Sequence, residues 1–362
     1  MQINAQDFGL VGRNKRKDTR AIQQALNVAK KYPHTTVFIP KGEYHIRKAL
    51  VIYGNTTVIM DNQCVLKRCG RDALIKNGKK PRVYYGYNGN SHITIRGGVL
   101  DMNGIQYPYY NTALCIGHAR EILIEEVTFK DVVGGHCIDA CGLNGVHINK
   151  CNFLGFNDPK NKRQFSEAVQ IDMQVKGAFP KFGATDGTTT QNMIIENCYF
   201  GSSDTPGMKA WNRAIGSHAS RFDQYYTNIH IRRNTFNNMH YYALTPLKSY
   251  NIYIYDNLFQ QCAGGIRYLA VKEGNIHAQD LQGRMSKTQA GNNLNIYRNR
   301  FEGQMAYDAV HIRSYDNIRH SNVVIANNNF THDSQSLHLE DIEHLILTQY
   351  DKVKLKTINV IK

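Results

Sequence analysis

Three short triplets share one form and end in groups that move protons: Cys137-Ile138-Asp139, Gln170-Ile171-Asp172 and Gly216-Ser217-His218. Two carboxyl groups side by side can divide the work of glycosidic hydrolysis, one protonating the leaving oxygen while the other acts as base or nucleophile. Their repulsion raises the pKa of one, which makes it the acid. Glu167 is a spare carboxylate, although pairing with Arg213 across the fold would give it a structural role. The series continues through Thr245-Pro246-Leu247, Arg267-Tyr268-Leu269, His311-Ile312-Arg313 and His338-Leu339-Glu340. On this reading Asp172, Asp139, Glu167 and His218 carry catalysis. Arg267, Gln170, Tyr242, Lys248, His311, Arg313 and Trp211 bind substrate, through guanidinium forks and aromatic faces suited to sugars.

Side chains so far apart in sequence meet only if a repeating element stacks them. That element is a phrase in which Ile is followed three places on by a short residue and two further on by Phe. It reads Ile124-Val127-Phe129, Ile148-Cys151-Phe153, Ile195-Cys198-Phe200 and Ile231-Asn234-Phe236, then Ile254-Asn257-Phe259, Ile296-Asn299-Phe301 and Ile325-Asn328-Phe330. The flanking residues alternate apolar and polar, as in Asn228-Ile229-His230-Ile231-Arg232, which is strand periodicity. The shortest Phe-to-Phe gaps, 24 residues (129 to 153) and 23 (236 to 259), fit one turn of a β-solenoid. Stacked at about 4.8 Å, the four asparagines form a ladder in a tight turn, where Asn tolerates left-handed backbone. Cys151 and Cys198 fill the same column. The fold expected is all-β: a single-domain parallel β-helix with a capping helix at its N-terminus. Its parts are a cap over 1–50, coils over 51–343 and a closing strand over 344–362.

Asp18 opens an amphipathic helix, as its N-cap, with Ile22, Ala25, Leu26 and Ala29 on one face. The run Asp7-Phe8-Gly9, Asp18-Thr19-Arg20-Ala21-Ile22, Phe38-Ile39-Pro40-Lys41-Gly42-Glu43-Tyr44 resembles the N-terminal signature of the pectate-lyase-like superfamily. That resemblance implies a right-handed β-helix and a polysaccharide substrate. The order Asp139, Asp172, Gly216-Ser217-His218, Arg267 is similar to the polygalacturonases of that group, which implies a glycoside hydrolase. The alternative it implies is a polysaccharide lyase acting by β-elimination on a uronate. There His218, Lys248, Arg267, Tyr242 and Arg313 would supply the base and the cations that neutralise the carboxylate, and Asp139 with Asp172 would hold Ca²⁺. A third reading is a non-catalytic, glycan-binding tailspike or adhesin. For the hydrolase no cofactor and no metal are expected.

Insertions separate the triplets unevenly: Phe129 to Asp139 is 10 residues, whereas Phe153 to Asp172 is 19 and Phe200 to His218 is 18. Loops near 157–166, 174–190 and 202–212 therefore rise beside the candidate site, with another at 272–290 after Arg267. His136, on the other parity from Asp139, reads as a core or turn histidine. Of the 362 residues 42% are hydrophobic, but no apolar run approaches a membrane span. The net charge is +15, yet residues 1–90 hold 17 Lys+Arg against 5 Asp+Glu (+12), so the excess is an N-terminal basic surface. No nucleic-acid module accompanies it, and the expected partner is a neutral or anionic polysaccharide or oligosaccharide. Eight cysteines without close pairing indicate neither zinc nor a disulfide framework. Met1-Gln2-Ile3-Asn4 lacks a basic-then-apolar leader, so the chain is expected at the cell surface or secreted with its leader removed, the cytosol being the alternative.

Overall fold

The computed structural model describes residues 1–179, 182–350 and 353–361. Lys362, the end expected for the closing strand, lies outside them. The chain winds as a right-handed parallel β-helix, nearly all β and 6% helical. Alternating residues leave one apolar side per strand, and every coil turns that side inward. One ladder has ten strands, from Gly42–Ile46 to Asn329–Phe330; the other is a twenty-stranded sheet folded round a corner. Long strands such as Leu114–Glu125, Ile138–Asn149 and Ser336–Leu347 run through that corner and belong to both of its faces.

The repeated phrase explains the stacking. Its phenylalanines pair in register, Phe129↔Phe153↔Phe200↔Phe236↔Phe259↔Phe301↔Phe330, with ring centroids 4.5 to 5.2 Å apart. Spacing of this kind is the strand repeat itself, so each ring covers the next. Tyr44, Leu66 and Leu100 continue the column into the first coils, which the Phe signal cannot reveal. Parallel pairing thus begins within the first 50 residues, at Gln2–Asn4 against Thr36, Val37 and Phe38.

The asparagine ladder is present. The Asn234 amide donates to Asn257 Oδ1 (3.1 Å), Asn257 to Asn299 (3.0 Å) and Asn299 to Asn328 (3.0 Å). Each amide also donates to a main-chain carbonyl of the preceding coil, for example Asn257 to Ile231 O at 2.9 Å. The left-handed residue of the turn is the one before the ladder: Glu126, Lys150, Asn197, Arg233, Asp256, Arg298 and Asn327 have φ of 51 to 57°. The ladder asparagines are selected for hydrogen bonding, which corrects the expectation that they supply the unusual backbone. Asn257→Ala removes the acceptor of one Asn234 amide N–H and of the Asn234 main-chain N–H, and the donor to a buried Ile231 carbonyl, so a loss of about 2–5 kcal/mol is expected in denaturant unfolding.

The helix spans Lys17–Lys31 and buries Ile22, Ala25, Leu26 and Ala29. Asp18 is not its N-cap, a place held by Arg16 without a side-chain bond. Its buried carboxylate instead accepts from the backbone N–H groups of Val11, Gly12, Asn14 and His45, pinning the entry loop and a strand to the helix. Four donors' worth of geometry cannot be read from a local cap pattern, because His45 arrives from 27 residues away. A groove beside this helix is edged by Lys15, Arg16, Arg20, Arg47, Lys48 and Lys79, where the N-terminal positive charge gathers. Cys151 and Cys198 are buried fillers of the turn column, and all eight cysteines are free thiols. No helix among the described residues is long and apolar enough to cross a membrane.

Candidate active site

Three successive strands, Ile138–Asn149, Glu167–Asp172 and Arg213–Gly216, carry the candidate groups. Inward residues align as Ile138↔Val169↔Ile215, and outward ones as Asp139↔Gln170↔Gly216. Gly216 then pairs with Thr245, and Arg267 with His311 and His338. Asp172 pairs with Cys141, so Asp139 and Asp172 are not level; they are offset by two residues along the strands. The triplets Cys-Ile-Asp and Gln-Ile-Asp look equivalent, but Ile138 meets Val169 and not Ile171. The insertion before Glu167 hides the two-residue slip. From Gln170 onward the expected registers hold, with Leu247↔Leu269, Leu269↔Arg313 and Arg313↔Glu340.

These strands form the floor of a cleft of about 210 Å³ whose walls include Tyr110, His136, Asp139, Arg163, Gln170 and His218. Arg163, Gly177 and Ala178 come from the inserted loops, as their position predicts. Asp139 is 4% exposed on the cleft wall, whereas Glu167 and Asp172 are fully buried behind it. Glu167 holds His218 through an Oε2–Nδ1 contact of 3.2 Å and lies 3.5 Å from Arg213. The expected Glu167–Arg213 pair therefore exists, but the same carboxylate also orients the imidazole. Gln170 donates from its amide nitrogen to Asp172 Oδ2 (2.5 Å), and the same nitrogen lies 3.1 Å from His218 Nε2. Asp172 also accepts from the Met173 N–H at 2.8 Å.

This network separates the protonation states. Burial pushes the Asp172 carboxyl up to about 6, with the Glu167 charge adding to it and His218 opposing. Burial also presses on Glu167, but His218, His136 and Arg213 together outweigh it and hold Glu167 below its ordinary value. His218 is disfavoured as a cation by burial, yet Glu167 and Asp172 more than compensate, and its pKa is raised above 6.5. A carboxyl that titrates near pH 6 beside an imidazole whose pKa is raised brings two groups that exchange protons near neutrality into one site.

Two residues of the cleft escape sequence reasoning. His136 stacks on His218 with centroids 6.0 Å apart and donates Nδ1–H to the Glu167 carbonyl (2.7 Å). It precedes its strand, after Gly134 in left-handed backbone (φ 56°) and Gly135, where a Cβ would lie 1.9 Å from Asn111 O, so strand parity does not apply to it. Burial lowers its pKa to about 3, leaving it neutral. Arg163 reaches His136 Nε2 at 3.4 Å and lies over the Phe165 ring, whose edge meets His218. Its sole sequence signal is its place in an inserted loop.

The substrate-binding candidates divide. Gln170 lines the cleft. Arg267 bonds the Tyr241 hydroxyl at 2.5 Å, and the Tyr241 ring also lies under Arg213, which links Arg267 to the Glu167 group. Tyr242 and His311 belong to a further cluster with Asp308. Arg313 is exposed and paired with Glu340 at 3.3 Å. Trp211 is fully buried against Phe156 (centroids 4.6 Å), which corrects its reading as a sugar platform; the inserted loop folds it down as core. Lys248 is corrected too. It is buried, donates to Arg221 O, Gln224 O and Gln289 Oε1, and so ties a turn to the loop at 272–290. Asp139 and Asp172 do not fit a shared Ca²⁺ site, which needs six or more converging oxygens, because they are offset and Asp172 is enclosed by Gln170 and Met173.

A stacked parallel coil with an outward row of acid, imidazole and guanidinium groups defines a pectate-lyase-like β-helix. The chain belongs to the family described as "Rhamnogalacturonase A/epimerase, pectate lyase-like", whose model matches residues 2–267. It is 28% identical over 290 residues to plasmin and fibronectin-binding protein A of Streptococcus pneumoniae, covering 73% of this chain and 40% of that protein. The crystal structure of PfbA, a surface adhesin of Streptococcus pneumoniae, superposes with a TM-score of 0.74 at 23% identity, over 95% of this chain and 82% of that one. A family 28 exopolygalacturonase of Yersinia enterocolitica superposes with a TM-score of 0.63 at 12% identity, over all of this chain and 78% of that one. The chain spans less than half the length of the curated relatives it matches, 40% of one and 45% of another.

Proposed function

We propose that the chain is a glycoside hydrolase acting on a polysaccharide or oligosaccharide, neutral or anionic, outside the cell or at its surface. The observation that carries this reading is His218, held at the cleft by buried Glu167 and facing the same space as Asp139. Asp139 takes a proton from the attacking water as the water oxygen bonds to the anomeric carbon. The glycosidic C–O bond breaks, and its oxygen receives the proton of the His218 imidazolium. Glu167 fixes the ring through Nδ1, so Nε2, beside the Gln170 amide, is the nitrogen that delivers the proton. Arg163 on the cleft wall suits a sugar carboxylate.

The likeness to a surface adhesin favours one second reading, glycan binding without cleavage. Incubation with a panel of neutral and uronate-containing polysaccharides decides between them. Reducing ends that grow without ultraviolet-absorbing products are expected. Unsaturated products would instead mean a lyase, and retention on a polysaccharide column with no new ends would mean a binder.

A further inference from the structure

Beyond the cleft, the row of outward side chains continues into a second cluster, built from Asp308, His311 and His338. His311 and His338 are direct register partners on neighbouring coils, and their rings stack 4.6 Å apart at 14°. One ligand atom from each of the three residues lies within 4.8 Å of the others. Two features set this apart from a chance meeting of polar groups. His311 Nε2 and His338 Nε2 are both buried, and neither has a hydrogen-bond partner among the described residues. Nitrogens left so are costly unless something else satisfies them. The carboxylate, in contrast, is held from both sides: Ser336 Oγ donates to Asp308 Oδ1 at 2.7 Å and Tyr242 Oη to Asp308 Oδ2 at 3.2 Å. Support of this kind commonly orients a ligating carboxylate.

We propose that Asp308, His311 and His338 bind a divalent late first-row transition metal ion, of the Zn²⁺ or Ni²⁺ kind, on the coil surface. Two imidazoles and one carboxylate leave coordination positions open, and imidazole donors select such ions over Ca²⁺ and Mg²⁺, which require oxygen cages. Arg267 and Arg313 stand nearby as opposing charges, and Glu340, 3.8 Å from His338 Nε2, offsets them. The site is independent of the hydrolase reading, since none of its three residues lines the cleft.

The test is calorimetric titration of the full chain with ZnCl₂, NiCl₂, CaCl₂ and MgCl₂, together with thermal melting in each. One saturable Zn²⁺ or Ni²⁺ site is expected, with a raised melting midpoint and no comparable binding of Ca²⁺ or Mg²⁺. Loss of a ligand should weaken that site by about 100-fold or more, since even groups that merely orient ligands are worth about 10- to 100-fold. Asp308→Asn keeps the shape and the Ser336 bond, so it tests the site without emptying the space; His338→Ala removes a donor outright. His332→Ala, at an exposed histidine of another turn, should leave binding unchanged. Absence of saturable binding overturns the proposal. So does a Zn²⁺ site of unchanged affinity in both Asp308→Asn and His338→Ala, which would place the ion on other histidines.

Discussion

Asp139→Asn is expected to lower turnover of the cleaved polysaccharide by about 10²- to 10⁴-fold, the usual worth of a positioned base. The substitution preserves size and one acceptor oxygen, and it removes the only charge a carboxylate can use to accept a proton from water. Asp139 lies on the cleft wall, whereas Asp172 and Glu167 are enclosed behind Gln170 and His218. Neither buried acid can replace it without opening the wall. The check is a kinetic comparison in which kcat falls and the thermal midpoint stays close to wild type. An unchanged kcat would take Asp139 out of the reaction and leave the cleft as a binding surface.

Glu167→Gln is expected to cost about 3–5 kcal/mol of stability, because it leaves Arg213 without its buried counter-charge. It should also alter the pH dependence. In the wild type the raised His218 pKa is a stabilising contribution that is present below the unfolded value of 6.5 and lost as pH rises through the folded value. Glu167, held below 4.5, contributes above that pH and loses its contribution as pH falls through its folded value. Without the Glu167 charge, burial dominates at His218 and its proton is released at lower pH. The alkaline limb of the pH–rate profile should therefore move to lower pH, and the wild-type decline in stability above pH 6.5 should flatten. Denaturant titrations across pH 4 to 9 and a pH–rate profile measure both. A limb that stays in place would detach His218 from Glu167.

The seven-fold Ile-to-Phe phrase and the ladder asparagines are local patterns, and each was legible because a solenoid writes its cross-section into every coil. The first coils were harder, since Tyr44, Leu66 and Leu100 occupy the column without its aromatic marker. Trp211 shows the opposite error. Aromatic residues in an insertion suggest a sugar platform, but the loop folds back and Trp211 packs on Phe156 within the core. Lys248 fails similarly, because the acceptors of its amine come from main-chain oxygens and Gln289, which no spacing announces.

By itself the sequence determined the repeat, the alternation of faces and therefore the stacked coil, since periodicity of two and a recurring buried phrase leave few ways to bury apolar surface. It also placed Asp172, His218, Arg267, His311 and His338 on one face. Only the tertiary structure decided which acid meets the cleft. Strand register is a pairing between distant segments, and a slip of two residues keeps every apolar side chain inward while moving a carboxylate one full pleat. That freedom puts Gln170 beside Asp139, encloses Asp172 and turns Glu167 toward His218.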